Sequence, residues 1–335
     1  MEVDGQAPSL PWIEKYRPQT LDDVVSHQDI VATIRRLRDA EKLPHLLLFG
    51  PAGTGKTSVI KALAHEMYGD QSAACLLELN ASDDRGIDVV RDQIKTFAGS
   101  RGIFQSVSTA DKHQYKLVIL DEADNMTSTA QMALRRIIEQ YSNTTRFCLV
   151  CNFANRLIPA IRSRCTKFRF RPLDTPAVVS MINRVVSEES LTMGPGAVAA
   201  LASLSRGDMR HALNVLQAAS MQASEVTIDT IYAVTGNLPP DVAASLEVTL
   251  FNQDYGSGVR AVNGLLERGY ALRDICADLG ERVMGLKCPP IAKAHVLKEL
   301  ATVEDNLYAG CEPALQVTGV VGVFILGRAG LAVKV

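Results

Sequence analysis

Apolar residues fall into short unbroken runs in the first half of the chain and into helical spacing in the second. Leu46-Leu47-Leu48-Phe49, Leu117-Val118-Ile119-Leu120 and Phe147 to Cys151 are runs of strand length. Such runs predict strands buried on both faces, as in a parallel sheet. A further strand is expected over Cys75 to Asn80. Between these runs, apolar residues recur three and four apart, as in Ile30, Ile34 and Leu37, then Val59, Ile60, Leu63 and Ala64 with Met67 one turn on, then Ala130, Leu134, Ile137 and Tyr141. That spacing predicts helices over 30–40, after residue 57, and over 129–141, with another over 87–98. Strands alternating with helices predict an α/β fold around a parallel sheet. From Thr166 to Arg171 charge alternates with Phe168 and Phe170, which predicts an edge strand with one wet face.

The pattern changes past Leu173, where Pro172 and Pro176 bracket a linker. Helices are expected over 178–189, 194–204 and 208–221, the last opened by the cap Gly207-Asp208. Leu238-Pro239-Pro240 makes a second break, and 241–335 again reads as helical. The chain therefore divides into an α/β part at 1–172, a small helical part at 173–238 and a second all-helical part at 239–335. Val317 to Val333 is short for a membrane span and reads as a buried helix. Its Gly319, Gly322, Gly327 and Gly330 each cost about 1 kcal/mol against Ala in a helix. Near the start, Pro18 blocks a helix, so Pro11 to Pro18 reads as a shaped loop.

Composition narrows the class. A chain of 335 residues exceeds one ordinary domain, and 47% hydrophobic content is that of a globular protein. Net charge is −2, so contact with nucleic acid must come from local patches. The seven cysteines form no disulfide framework. Cys148 and Cys151 have metal-site spacing but lie inside an apolar run with no second Cys or His pair nearby, and read as buried strand thiols in a reducing compartment. Met1 to Leu10 has neither basic residues nor an apolar core, so no secretory signal is expected.

The chemistry concentrates between the first strand and its helix. Gly50-Pro51-Ala52-Gly53-Thr54-Gly55-Lys56-Thr57 is a phosphate-binding loop. Its glycines let successive N–H groups face phosphate oxygens. Lys56 would reach the β- and γ-phosphates, and the Thr57 hydroxyl would hold Mg²⁺. The following strand–helix junction, with Ser58, is the context such a loop requires. Asp121 and Glu122 end the strand 117–120 at its C-terminal side, where ligands bind in open α/β sheets. Asp121 would hold Mg²⁺ through water, and Glu122 would polarise the water that attacks the γ-phosphate. Asn152 ends the next strand, either as a turn residue or to orient that water. Tyr16 and Arg17 either pack against a purine or pack locally. Arg91 and Lys95 share one face of a helix, solvated or set against phosphates. Ile103 and Phe104 sit in an expected loop, tucked into the core or offered to a partner. Arg164, in a basic run through Arg171, either protects the sheet edge or reaches a phosphate on a neighbouring protomer. Arg210 faces the positive end of its helix dipole, and either meets an anionic partner or is an ordinary exposed arginine.

These blocks, in this order, resemble the AAA+ clamp-loader family, and within it the small subunits of replication factor C. The carrying motifs are Pro11 to Pro18, the phosphate loop, Leu79-Asn80-Ala81-Ser82-Asp83-Asp84-Arg85-Gly86-Ile87-Asp88, Asp121-Glu122-Ala123-Asp124, Ser163-Arg164-Cys165 and Gly207-Asp208-Met209-Arg210. The match is dense from residue 11 to about 220. The resemblance implies an AAA+ nucleotide-binding domain, a helical lid at 173–238 and a helical collar for oligomerisation at 239–335. It implies ATP and Mg²⁺ as cofactors, with Ile13, Tyr16, Arg17 and Val25 around the adenine. Asn152 and Arg210 would be the two sensors of the γ-phosphate, and Arg164 a finger acting on the next subunit's ATP. Arg85, Arg91 and Lys95 would track duplex backbone, and Ile103 and Phe104 would press into the sliding clamp. The implied partners are the other replication factor C subunits in a hetero-pentamer, the sliding clamp (proliferating cell nuclear antigen) and primer–template DNA, in the nucleus and with no membrane. Ala52 stands where the family commonly has proline, with no functional side chain lost. A branch-migration type of AAA+ motor and an ATP-binding scaffold without turnover are the rival expectations.

Overall fold

The computed structural model describes residues 10–69, 72–81, 87–100, 115–287 and 289–332, without the side chains of 72–73, 87–91 and 329–332. The chain forms two compact units, Met1–Glu225 and Val226–Val335.

The first unit opens with a single helical turn, α1 (Trp12–Lys15), where the sequence suggested a loop. Pro18 lies beyond the turn, and Pro11 sits at its N-cap, where a missing N–H is harmless. Next come α2 (Gln28–Asp39), β1 (Leu46–Phe49), α3 (Lys56–Tyr68), the short α4 (Ser72–Cys75), β2 (Leu76–Asn80) and α5 (Ile87–Gly99). They are followed by β3 (Lys116–Asp121), α6 (Ser128–Tyr141), β4 (Thr145–Cys151), α7 (Pro159–Arg162) and β5 (Thr166–Arg169). Three longer helices complete the unit: α8 (Thr175–Glu188), α9 (Ala197–Leu204) and α10 (Met209–Gln222). Beyond β5 the only strands among the described residues are the two-residue pieces Thr192–Met193 and Glu225–Val226.

The five strands stand in the order β2-β3-β4-β1-β5, and every neighbouring pair is parallel. The unbroken apolar runs follow from burial on both faces. Leu46, Leu48, Leu117, Ile119, Cys148 and Val150 face a layer that includes Ile34, Ile60 and Leu63. Leu47, Val118, Leu120, Phe147 and Leu149 face Ile94, Leu134 and Ile137. Each of these side chains contributes roughly 1.5–3 kcal/mol by leaving water. The order also fixes the site: the chain leaves β1 for the far edge and returns, so β4 comes to lie beside β1 with β3 next to it. The ends of β1, β3 and β4 then converge where the strand order reverses, the place ligands occupy in such sheets.

The second unit is helical: α11 (Ile228–Thr235), α12 (Pro240–Asn252), α13 (Tyr255–Glu267), α14 (Leu272–Gly285), α15 (Pro290–Tyr308) and α16 (Pro313–Ala332). Leu246, Val262, Ile275, Leu279, Leu300, Val320 and Phe324 form its core. The glycine-rich end is one continuous helix. Gly327 shows why its composition is tolerated: a Cβ there would stand 2.6 Å from Val296 Cγ2, so the missing side chain lets α15 and α16 close. Arg328 donates to the carbonyls of Phe251 (3.2 Å) and Gln253 (2.6 Å), satisfying the end of α12. No helix among the described residues is long and apolar enough to cross a membrane.

Candidate nucleotide site

A cavity of about 390 Å³ opens at the convergent strand ends of the first unit. Residues 52–58 of the loop line it, with Asp121, Glu122 and Asn152 from the sheet and Arg210 from α10. Ile13, Tyr16, Arg17 and Val25 also line it. Gly50 and Pro51 reach it through Lys56 rather than as wall.

Lys56 is the first residue of α3 and is only 7% exposed. Its ammonium donates to the carbonyls of Gly50 (2.8 Å) and Pro51 (2.7 Å) and to Asn152 Oδ1 (3.2 Å). Burial lowers its pKa, and the Asp121 carboxylate opposes that shift. The Thr57 hydroxyl donates to Asp121 Oδ2 at 2.9 Å. A hydroxyl and a carboxylate so placed are hard oxygen ligands, suited to Mg²⁺ that arrives with phosphates. Among the described residues no group of three His, Cys, Asp or Glu could hold a metal by itself. Cys148 and Cys151 are buried in β4, and burial pushes the Cys151 thiol up to about 12, so the pair stays protonated.

Glu122 takes left-handed backbone (φ 52), rare for a residue with a side chain. Its Oε2 accepts from Asn125 Nδ2 at 3.0 Å. Two residues on, the buried Asp124 accepts the backbone N–H groups of Asn152 (3.2 Å) and Phe153 (3.0 Å) through one oxygen. Sequence reading assigned Asp124 no task, although its place in the Asp-Glu-Ala-Asp run was a signal.

Helix α10 meets the phosphate loop directly. Asp208 caps it by accepting from His211 N (3.0 Å), and Met209 N–H donates to Gly53 O (3.1 Å). Gly53 has φ 65, and a Cβ there would lie 1.6 Å from Asp208 Oδ1, so only glycine permits the approach. Among the other lining residues, Tyr16 OH donates to Glu189 Oε1 at 2.6 Å. Glu189, Arg184 and Glu188 carry no motif, and sequence reading passed over them.

Arg164 does not line the cavity. Its guanidinium donates to Ala160 O (2.7 Å) and pairs with Glu139 of α6. Arg91 and Lys95 both fall on α5, with Lys95 half-buried. Arg85, Ile103 and Phe104 lie outside the described residues.

A parallel sheet with a glycine loop before α3, acids at the end of β3 and an arginine from a following helical segment defines an AAA-type ATPase. The model of the ATPase family associated with various cellular activities matches residues 46–173, and that of the replication factor C C-terminal domain matches residues 238–323. The human protein named replication factor C subunit 5 is 46% identical over 96% of this chain and 93% of its own length. Replication factor C subunit 3 of Schizosaccharomyces pombe is 41% identical over 100% of this chain and 97% of its own. The chain belongs to the replication factor C family. Among solved structures, the Thermotoga maritima RuvB Holliday junction branch migration motor is 18% identical with a TM-score of 0.50, over 70% of this chain and 79% of that one, a likeness of fold.

Proposed function

We propose that this chain is a small subunit of a hetero-pentameric replication factor C that uses ATP and Mg²⁺ to open a ring-shaped sliding clamp and place it on primer–template DNA in the nucleus. In this reading 1–172 is the nucleotide-binding domain, 173–238 the lid and 239–335 the collar. Lys56 binds phosphate, Thr57 and Asp121 hold Mg²⁺, Glu122 activates water, and Asn152 and Arg210 sense the γ-phosphate. The observation that carries it is the pair of hydrogen bonds across the cavity, Lys56 to Asn152 and Thr57 to Asp121, while Arg164 is held away by Glu139 of α6. A site so built lacks its own arginine finger and suits an assembly in which a neighbour supplies one. The branch-migration motor shares the fold, but the close kinship over the full chain is with replication factor C. The full acid–lysine set speaks against a scaffold without turnover.

The test is Glu122→Gln in the assembled complex with the phosphate-loop lysines of the other subunits replaced. Turnover falls by about 100-fold or more, the scale of general-base loss, while ATP still binds. Undiminished turnover overturns the assignment.

A further inference from the structure

The segment that brings Ile13, Tyr16 and Arg17 to the cavity is anchored to α10 and to the end of α8 rather than to the sheet. One turn of helix has no stability of its own, and α1 buries none of its residues. Three hydrogen bonds hold it. Trp12 N–H donates to Gln217 Oε1 of α10 at 3.2 Å. Lys15 Nζ (2.5 Å) and Tyr16 OH (2.6 Å) both donate to Glu189 Oε1, just past the end of α8. Tyr16 is 7% exposed and lines the cavity. Glu189 does not line it.

Resting on the nucleotide reading of the cavity, we propose that Glu189 is a positioning residue for the nucleotide base: through Tyr16 it fixes the base-contacting segment on the helical layer that also carries Arg210. The hydrogen bonds from Lys15 and Tyr16 hold the Glu189 carboxyl below its ordinary range, and burial, then Glu189, push the Tyr16 hydroxyl up. The two groups therefore remain carboxylate and phenol at neutral pH, the charge-assisted pairing that outweighs a neutral one. Base contact and the placement of Arg210 over the phosphates become properties of one rigid body. A ligand with phosphates and no base bypasses the device.

The experiment measures affinity of the full chain for Mg²⁺-ATP and for Mg²⁺-tripolyphosphate. Glu189→Ala and Tyr16→Phe each weaken ATP about tenfold, the scale of one hydrogen bond to a charged group. The double variant is no weaker than Glu189→Ala alone, because Tyr16→Phe removes a bond that Glu189→Ala has already broken. Tripolyphosphate affinity is unchanged, and Glu189→Gln, which keeps an acceptor for Tyr16, restores most of the ATP affinity. Equal losses for both ligands, additive losses in the double variant, or undiminished ATP affinity overturn the proposal. Should Glu189→Ala fail to fold, Tyr16→Phe and Glu189→Gln decide it. Lys56→Ala separates the two readings: if it retains affinity for both ligands, the cavity is not the nucleotide site and that reading falls first.

Discussion

His45 stands where three strands begin. Its Nδ1 accepts the Phe147 N–H (3.2 Å), its carbonyl accepts the Thr166 N–H (2.8 Å), and its ring lies 5.6 Å from that of Phe147. Only the neutral imidazole can accept that bond. Burial, then the nearby Arg146, push its pKa down to about 4. The folded value lies below the unfolded one of about 6.5, so on acidification the unfolded chain takes the proton first. Stability tied to His45 is therefore fully present above about pH 6.5 and is lost as pH falls towards 4, with a limiting slope of about 1.4 kcal/mol per pH unit. Denaturant unfolding of the full chain between pH 4 and 7 should show that slope reduced by about one proton in His45→Asn, which keeps an acceptor. His27, whose Nε2 accepts the Arg171 N–H and whose pKa burial also lowers, accounts for part of what remains. An unchanged slope would mean that His45 does not titrate between the two states. Neither histidine stood out in the sequence, because a lone His next to a strand looks the same whether buried or wet.

At the scale of elements, α7 and β5 form a unit that carries Arg164 between them. Pro159 at the first position starts α7 without losing a needed N–H. The strand that follows alternates as its sequence suggested, with Lys167 and Arg169 exposed and Phe170 fully buried. Glu139 of α6 binds both Arg135 and Arg164, so the arginine is set by the α6–α7 pair. In an assembled complex, Arg164→Ala should slow hydrolysis at the neighbouring site by about 1,000-fold while this chain's own ATP binding stays nearly intact. Single-site mutant complexes read this directly, and loss at its own site instead would contradict it. The elements themselves were largely legible: the sheet strands, α2, α3, α5, α6 and the later helices follow from periodicity within a few residues. The turn α1 was not, because its stability comes from bonds to Gln217 and Glu189 far along the chain.

For the whole molecule, the net charge of −2 leaves no general attraction to a polyanion. Binding to duplex DNA then depends on where the few basic side chains lie. Reversing Arg91 and Lys95 together should weaken DNA binding by the complex and flatten its log–log salt dependence by about 0.9 for each phosphate no longer neutralised. A salt slope equal to that of the unaltered complex would remove α5 from the interface.

The sequence by itself determined what is local or periodic: the phosphate loop, whose eight residues are contiguous, the runs that become strands buried on both faces, and the mainly helical character of the chain past Leu173. The tertiary structure alone decided which distant residues share a site. Strand order brings Asp121 to Thr57 and Asn152 to Lys56, Asp124 fastens the Asn152 backbone, Glu189 just past α8 holds Tyr16, and α10 reaches the cavity through Met209 and Arg210. These contacts depend on packing between elements far apart along the chain, and such packing leaves no period and no spacing to read.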